Sequence, residues 1–443
     1  MSTVSPIDPQ RRALLLGAGT AMLAAKARAS LPTAAPAHAV PAHAAPSANG
    51  NDAHAAAVRP LKVVTLNGCS LPYNMHNGVK VFHLIAEEIE HELAPGTRSK
   101  AWGYNGSTPG PTIEAVEGDR VRIFVTNRLP EHTTIHGHGI LLPNGMDGVG
   151  GLTQPHIEPG ETYVYEFTVN ESGTRMYHPH ADEMVQLAMG MMGLLVIHSR
   201  NPAHAVDRDF DIILHNWAVR PGTARPNPSV MTEFDQWTMN SKVFPAIDPM
   251  VVSTGQKVRI RVANLSMHDH PMHLHGAHFR VTGTDARPIP LSAQVPLTTT
   301  LVPVGGIHDL EFVAHRAGDW GFHCHKSHHT VNAMGHEQPS ALGVKQNDLD
   351  QRIAAQLPAY FSLGENGMAE HQMHSQIIGH RAPPDNTLSM MARIGPHGNL
   401  EMGGMFTLIK VRDSLPTYAD PGWYRPPTTS VARRVSADPD FRP

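Results

Sequence analysis

Between positions 318 and 334 the chain reads GDWGFHCHKSHHTVNAM, and its donor side chains are spaced for chemistry. Cys324 stands between His323 and His325, His329 follows five residues after the cysteine, and Met334 follows ten after it. One soft thiolate, two imidazoles (His329 and, from upstream, His270) and a distant thioether make the ligand set of a blue-copper electron-transfer centre. If 322–325 is extended, successive side chains alternate faces, so His323 and His325 point to one side and Cys324 to the other. The same short strand then touches two metal centres, with only a few covalent bonds between the sulfur and either flanking imidazole.

Histidine is abundant, so spacing alone proves little. With 31 histidines in 443 residues, composition predicts about two HxH pairs, and the chain has five. Their placement decides, because the chain repeats itself. The stretch GDRVRIFVTN at 118–127 matches GQKVRIRVAN at 255–264 at an offset of 137, which also superimposes His136 and His138 on His273 and His275. A second block, GTRMYHPH at 173–180, matches GDWGFHCH at 318–325 at an offset of 145. Four of the five pairs therefore occupy equivalent places in two copies of one domain; the fifth, His268 and His270, has no equivalent. Each pair, if extended, aims both imidazoles to one side. Eight such imidazoles suit a cluster of several copper ions better than one tetrahedral zinc. At the same offsets the four blue-copper donors His270, Cys324, His329 and Met334 fall on Thr133, Pro179, Met184 and Met189, so the electron-accepting centre belongs to the second copy alone.

The elements that must carry these residues read as β-structure. Alternating apolar runs at 79–84, 120–126, 162–169, 210–214 and 257–262 are punctuated by Gly, Pro and Asn, and helical periodicity is scarce. An all-β chain of sandwich domains follows. The length allows two or three domains, and 41% hydrophobic residues suffice for packed cores. A formal net charge of -4 gives no electrostatic footprint for nucleic acid. There are two cysteines, Cys69 and Cys324, so if Cys324 binds metal no intrachain disulfide is available. Cys69 reads as a buried or idle thiol.

The N-terminus looks like an export signal. Arg11 and Arg12 precede an apolar run over 13–25 and an A-x-A cleavage pattern at 27–29, and the paired arginines suggest the twin-arginine route. That run is too short to span a bilayer as a helix, so the mature chain is expected to lack a membrane span and to be periplasmic or secreted. Residues 30–60 are rich in Ala, Pro and His without apolar periodicity, as in a disordered spacer.

The motifs H-G-H-G at 136–139, H-P-H at 178–180, H-P-M-H-L-H-G at 270–276 and H-C-H-x3-H-x4-M at 323–334 resemble, in order, the four copper motifs of the multicopper oxidases. The resemblance covers roughly residues 65–340 and implies two cupredoxin-like Greek-key β-sandwiches and four coppers per functional site. A type 1 copper would lie on His270, Cys324, His329 and Met334, and a type 2 copper on His136 and His273. The type 3 pair would lie on His138, His178, His180, His275, His323 and His325. Gly137 stands where the family usually has tryptophan, and this removes no ligand. Asp147, in NGMDG, matches the family's acidic residue beside the trinuclear cluster, where it would supply protons. About 90 residues separate His180 from His270, which resembles the two-domain members; in these, the first domain of one subunit meets the second of its neighbour, implying a homotrimer.

The expected organisation is a leader over 1–29, a spacer over 30–60, cupredoxin domains over 61–200 and 205–412, and a Pro-rich tail over 413–443. An insertion over 337–402 delays the closing strand of the second domain, at 404–411, relative to its counterpart at 190–197. It carries Met368, His371, Met373, His374, Met390, Met391 and Met402, with Met405 just beyond. These thioethers serve either as soft docking ligands for cuprous ion or as packing. His315, His328 and His336 fall outside the ligand positions. The expected activity is one-electron oxidation of a small reductant, Cu(I) or a phenol, coupled to reduction of O2 to water. The competing readings are a copper-storage protein without turnover and a copper nitrite reductase, which would keep its blue copper in the first domain, where Pro179 replaces the cysteine.

Overall fold

The computed structural model describes residues 60–201, 205–220, 222–232, 234–332 and 402–432, together with 352, 355, 356, 386, 388 and 393–400. The expected leader and all of the spacer except Pro60 lie outside the described residues, as do Met334, His336 and, within the insertion, Met368, His371, Met373, His374, Met390 and Met391.

Alternation in the sequence becomes alternation in burial. Along Arg120–Asn127 the side chains of Val121, Ile123, Val125 and Asn127 are buried and the others are not. This strand lies in a five-stranded sheet with Asn74–His76, Val79–Ala94, Thr97–Tyr104 and Thr162–Thr168. The sheet closes over a four-stranded one made of Ile113–Val116, Gly193–His198, Gly173–His178 and His136–His138. Leu84, Ile123 and Phe167 from the first meet Ile113, Tyr177 and Leu195 from the second in one core. Gly193 pairs with Tyr177 across the strands. A Cβ there would fall 2.1 Å from the phenol ring, so only glycine admits the tyrosine.

The second half repeats this plan. Lys257–Asn264 runs parallel to Arg208–Trp217 and antiparallel to Ile307–Val313, as Arg120–Asn127 runs parallel to Val79–Ala94 and antiparallel to Thr162–Thr168. Its partner sheet is Met250–Ser253, Phe406–Arg412, Gly318–Cys324, His270–Leu274 and Thr299–Val302. The last residue of the repeated strand does the same work in both copies. Asn127 Nδ2 donates to the carbonyls of Glu131 and Ile157, and Asn264 Nδ2 to those of His268 and Val302. Each asparagine thereby ties the loop that leads into a histidine pair.

The two sandwiches differ where they touch. Arg261 is buried, and its guanidinium pairs with Asp209 through two bonds of 2.8 Å while Nη1 donates to Thr174 of the first domain at 2.6 Å. Thr174 in turn donates to Asp309. A buried cation is tolerable only with such full pairing. Ile213, Trp217, Ala263 and Ile307 meet Met176, Met192 and Leu194 beside it and form a core between the domains.

The closing strand Phe406–Arg412 pairs antiparallel with Gly318–Cys324 and parallel with Met250–Ser253. Its counterpart Gly193–His198 bears the same relation to Gly173–His178 and Ile113–Val116. Within the insertion, Arg393–Gly395 and Gly398–Leu400 form a hairpin, and Asn386 bonds to both backbone groups of Arg98. Beyond the closing strand the described part of the tail is tied to the second sandwich by Lys410 with Asp420, Arg412 with the Gly422 carbonyl, and Arg208 over the Tyr418 ring.

Candidate metal centres

Register brings the first group of donors together. Met272 pairs with Cys324 at the end of Gly318–Cys324, so His270, at the start of its own strand, comes beside the sulfur. His329 reaches them from the short turn Ser327–His329. His270 Nδ1 lies 3.5 Å from Cys324 Sγ, His329 Nδ1 lies 3.4 Å from it, and the two nitrogens are 3.1 Å apart. Three atoms so spaced lie on a circle of radius about 1.9 Å, close to the length of a metal–imidazole bond. All three side chains are completely buried.

Neighbouring groups fix the imidazoles for this use. Ser266 Oγ donates toward Asn264 Oδ1 and the His268 carbonyl, so it accepts from His270 Nε2–H at 2.6 Å and leaves the Nδ1 lone pair facing the sulfur. Gly404, at φ +55°, lets the chain pass close under His329, where a Cβ would fall 2.3 Å from its carbonyl oxygen. Burial drives His270 down to about 3 and pushes the Cys324 thiol up to about 11. Methionines 402 and 405 pack against this domain's core, Met405 fully buried with its amide bonded to the His329 carbonyl, so these two are filler.

The corresponding place in the first domain is closed by hydrogen bonds. Thr133 Oγ1 donates to Gln186 Oε1 at 2.7 Å, and Gln186 Nε2 donates to the His132 carbonyl. Met189 is buried beside them and Met184 is exposed.

The eight paired histidines fall into two groups. His136, His138 and His178 have donor atoms within 4.8 Å of one another, and so do His273, His275 and His323. The rings of His180 and His325 flank them, 5.5 Å from His136 and 5.3 Å from His273. Strand register explains both, since His136 pairs with His178 and His273 with His323. Tautomers are set alike in the two halves. His136 Nδ1 donates to the Asp147 carbonyl and His273 Nδ1 to that of Thr298, while His178 and His323 donate to the carbonyls of Pro179 and Cys324. Each thus keeps Nε2 free as a ligand atom, and burial, which takes His178 down to about 4 and also lowers His323, keeps these two rings neutral. His323 and His325 stack on one side of their strand while Cys324 joins His270 and His329 on the other.

Asp147 holds His136 chiefly through its backbone, with its carboxylate 3.5 Å from the same Nδ1. Gly148 follows at φ +83°, where a Cβ would fall 1.7 Å from the Ile135 carbonyl. Glu183 was not among the expected residues. Its carboxylate lies 3.5 Å from His178 Nδ1 and 3.7 Å from His180 Nε2, a placement signalled by its position three residues after the H-P-H pair. Ser266 and Trp237 also escaped the sequence, since a local turn brings the first to His270 and the pairing of distant strands brings the second to His329. His315 and His328 are exposed, and so is Cys69, which overturns the buried alternative of the expected buried or idle thiol. Both cysteines are free.

Two cupredoxin-like sandwiches carrying a buried Cys–His–His triad and paired histidines define a class of copper proteins. Family patterns described as multicopper oxidase match residues 86–202 and 221–340, over half of the chain between them, and the chain belongs to that family. It is 44% identical to copper resistance protein A of Escherichia coli over 123 residues, 28% of this chain and 20% of that protein. With the multicopper oxidase mco of Staphylococcus aureus it shares 32% identity over 203 residues, 44% of each chain. The chain thus spans about a fifth to under half the length of these relatives. The blue copper oxidase structure from Nitrosomonas europaea superimposes with a TM-score of 0.57 at 25% identity, covering 78% of this chain and 91% of that one. Copper is therefore the metal of this family's centres, and a thiolate with two neutral imidazoles on a small circle fits it.

Proposed function

We propose that this chain couples the one-electron oxidation of a small reductant to the four-electron reduction of dioxygen to water. The observation that carries the reading is the shared strand: Cys324 faces the His270–His329 centre while His323 and His325, on either side of it, face the other group. Four coppers cycling between cuprous and cupric states would supply and collect the four electrons. His270, Cys324 and His329 would hold the type 1 ion, with Met334 as the axial donor. His136 and His273 would hold the type 2 ion; His138, His178, His180, His275, His323 and His325 would hold the type 3 pair. Between sulfur and cluster the backbone path is one residue long, and the hydrogen bond from His323 Nδ1 to the Cys324 carbonyl, 2.8 Å, offers a shortcut across it. Asp147 orients His136, and its carboxylate would deliver protons to the reacting oxygen.

The separation of the eight histidines into two half-sites supports assembly of each cluster between subunits, with a homotrimer as the closed arrangement. Domains over 61–200 and 205–412 are the units that would meet. Similarity to copper resistance proteins favours Cu(I) over a phenol as reductant. The paired arginines and apolar run of 1–29 support export to the periplasm or beyond. No helix among the described residues is long and apolar enough to cross a membrane. Oxygen uptake by copper-loaded protein, with Cu(I) and with a simple phenol, tests the reading. Uptake that disappears in Cys324→Ser is the expected result, while bound copper without uptake would move the assignment to storage.

A further inference from the structure

The three donors of the mononuclear centre are all sealed from solvent, so a reductant cannot touch them. What lies against them is Trp237, on the strand Gln236–Met239, which pairs with Arg208–Trp217. Its indole lies face to face with His329, ring centroids 3.5 Å apart and planes 17° from parallel, the closest ring pair among the described residues. The same indole meets His270 edge-on at 5.9 Å. Outward from it stand two further imidazoles: His268, half-buried and 5.1 Å from Trp237, and His328, exposed, 6.1 Å from Trp237 and 4.3 Å from His329. Phe234 packs edge-on against Trp237 from behind. A continuous path of π-faces thus runs from the surface to the buried ligand.

We infer that Trp237, with His328 and His268 at its rim, is the port through which a reductant's electron reaches the centre at His270, Cys324 and His329. The inference rests on the oxidase reading and names the residues that serve it. The step moves one electron only: the reductant loses it, the centre gains it, no bond forms or breaks and no proton is transferred. Trp237 is a positioning residue. Its stacked face bridges the gap that would otherwise separate donor from ligand.

The test reads the transfer itself, under anaerobic conditions, as the bleaching of the visible thiolate–copper band by hydroquinone and by Cu(I) in rapid mixing. This readout needs no oxygen turnover. Trp237→Leu, which stays apolar and loses the π-face, is expected to slow bleaching by about tenfold or more while band position and reduction potential stay where they were. Trp237→Phe is expected to restore most of the rate, and His328→Gln, a surface change, to slow it in the same direction. A merely structural tryptophan would move the band or the potential instead. Band-bearing Trp237→Leu and His328→Gln proteins that bleach at the wild-type rate would overturn the port alone. Should Trp237→Leu lose its copper, His328→Gln and Trp237→Phe decide: unchanged bleaching in His328→Gln overturns the port. Wild-type protein with no visible band would overturn the port and the oxidase reading together.

Discussion

Burial pushes the Cys324 thiol up to about 11, so at neutral pH the sulfur carries its proton until a metal displaces it. His270, taken down to about 3, needs no such displacement. Copper uptake at this centre should therefore release about one proton per ion between pH 6 and 8, and affinity should rise about tenfold per pH unit. Calorimetry in buffers of different ionisation enthalpy checks this; a release of zero would show the thiol already ionised. Replacing the sulfur by oxygen removes the soft donor. Cys324→Ser should abolish the visible band and oxygen uptake while leaving the thermal transition within a few degrees of wild type. At this scale much was legible, because a thiol among histidines at fixed spacing has few other uses. The residues that were not legible, Ser266 and Trp237, are ordinary types whose role comes only from proximity. A serine four residues before His270 signals nothing until the turn made by Asn264 brings its hydroxyl to Nε2.

At the scale of elements, the internal repeat made the fold readable, and the structure gives it a mechanical cause. Asn127 and Asn264 end equivalent strands and tie equivalent loops, so the repeat preserves a device for aiming histidines as well as a strand. Asn264→Ala strips two buried carbonyls of their donor and should cost about 2–4 kcal/mol. It should also loosen His270, since the Asn264 Oδ1 accepts the Ser266 hydroxyl that steadies it. Differential scanning of apo-protein together with copper content per chain would separate the two effects, and a variant with wild-type transition and full copper would refute the account. The repeat was a poor guide where the copies diverge. Arg261 sits on what alternation marks as an outward face, yet it is buried, because the first domain covers that face and supplies Thr174. Pairing between domains is invisible to a pattern of period two.

For the molecule as a whole, burial of neutral histidines makes stability depend on pH. His91, His178 and His215 are held down to about 4, His270 to about 3 and His329 to about 2, so between roughly pH 4 and 6.5 the unfolded chain binds protons that the folded one refuses. Each such histidine removes about 1.4 kcal/mol per unit as pH falls below 6.5. Asp211, raised by burial to about 6, acts oppositely: its contribution is full at low pH and is lost as pH rises through 6. Five histidines outweigh one aspartate, so metal-free protein should lose about 5 kcal/mol of stability from pH 6 to pH 5. Urea titrations at the two values check the sign, and a midpoint that rises at pH 5 would refute it.

The two half-sites lead to the prediction with most at stake for the assembly. Each histidine group is pre-aligned by its own strands and carbonyls, yet each offers only half of the imidazoles a three-copper cluster needs. If the halves are completed between subunits, a chain spoiled in the first domain and a chain spoiled in the second should rescue each other. His136→Ala and His323→Ala proteins, each inactive alone, would then regain activity when unfolded, mixed in equal amounts and refolded together. In a closed ring with random order, roughly a quarter of the interfaces would join an intact first-domain half to an intact second-domain half. Oxygen uptake near a quarter of wild type is the expected reading, with a mass on light scattering of a multiple of the chain. No recovery from mixtures that refold, bind copper and associate would mean that both halves of each cluster come from one chain.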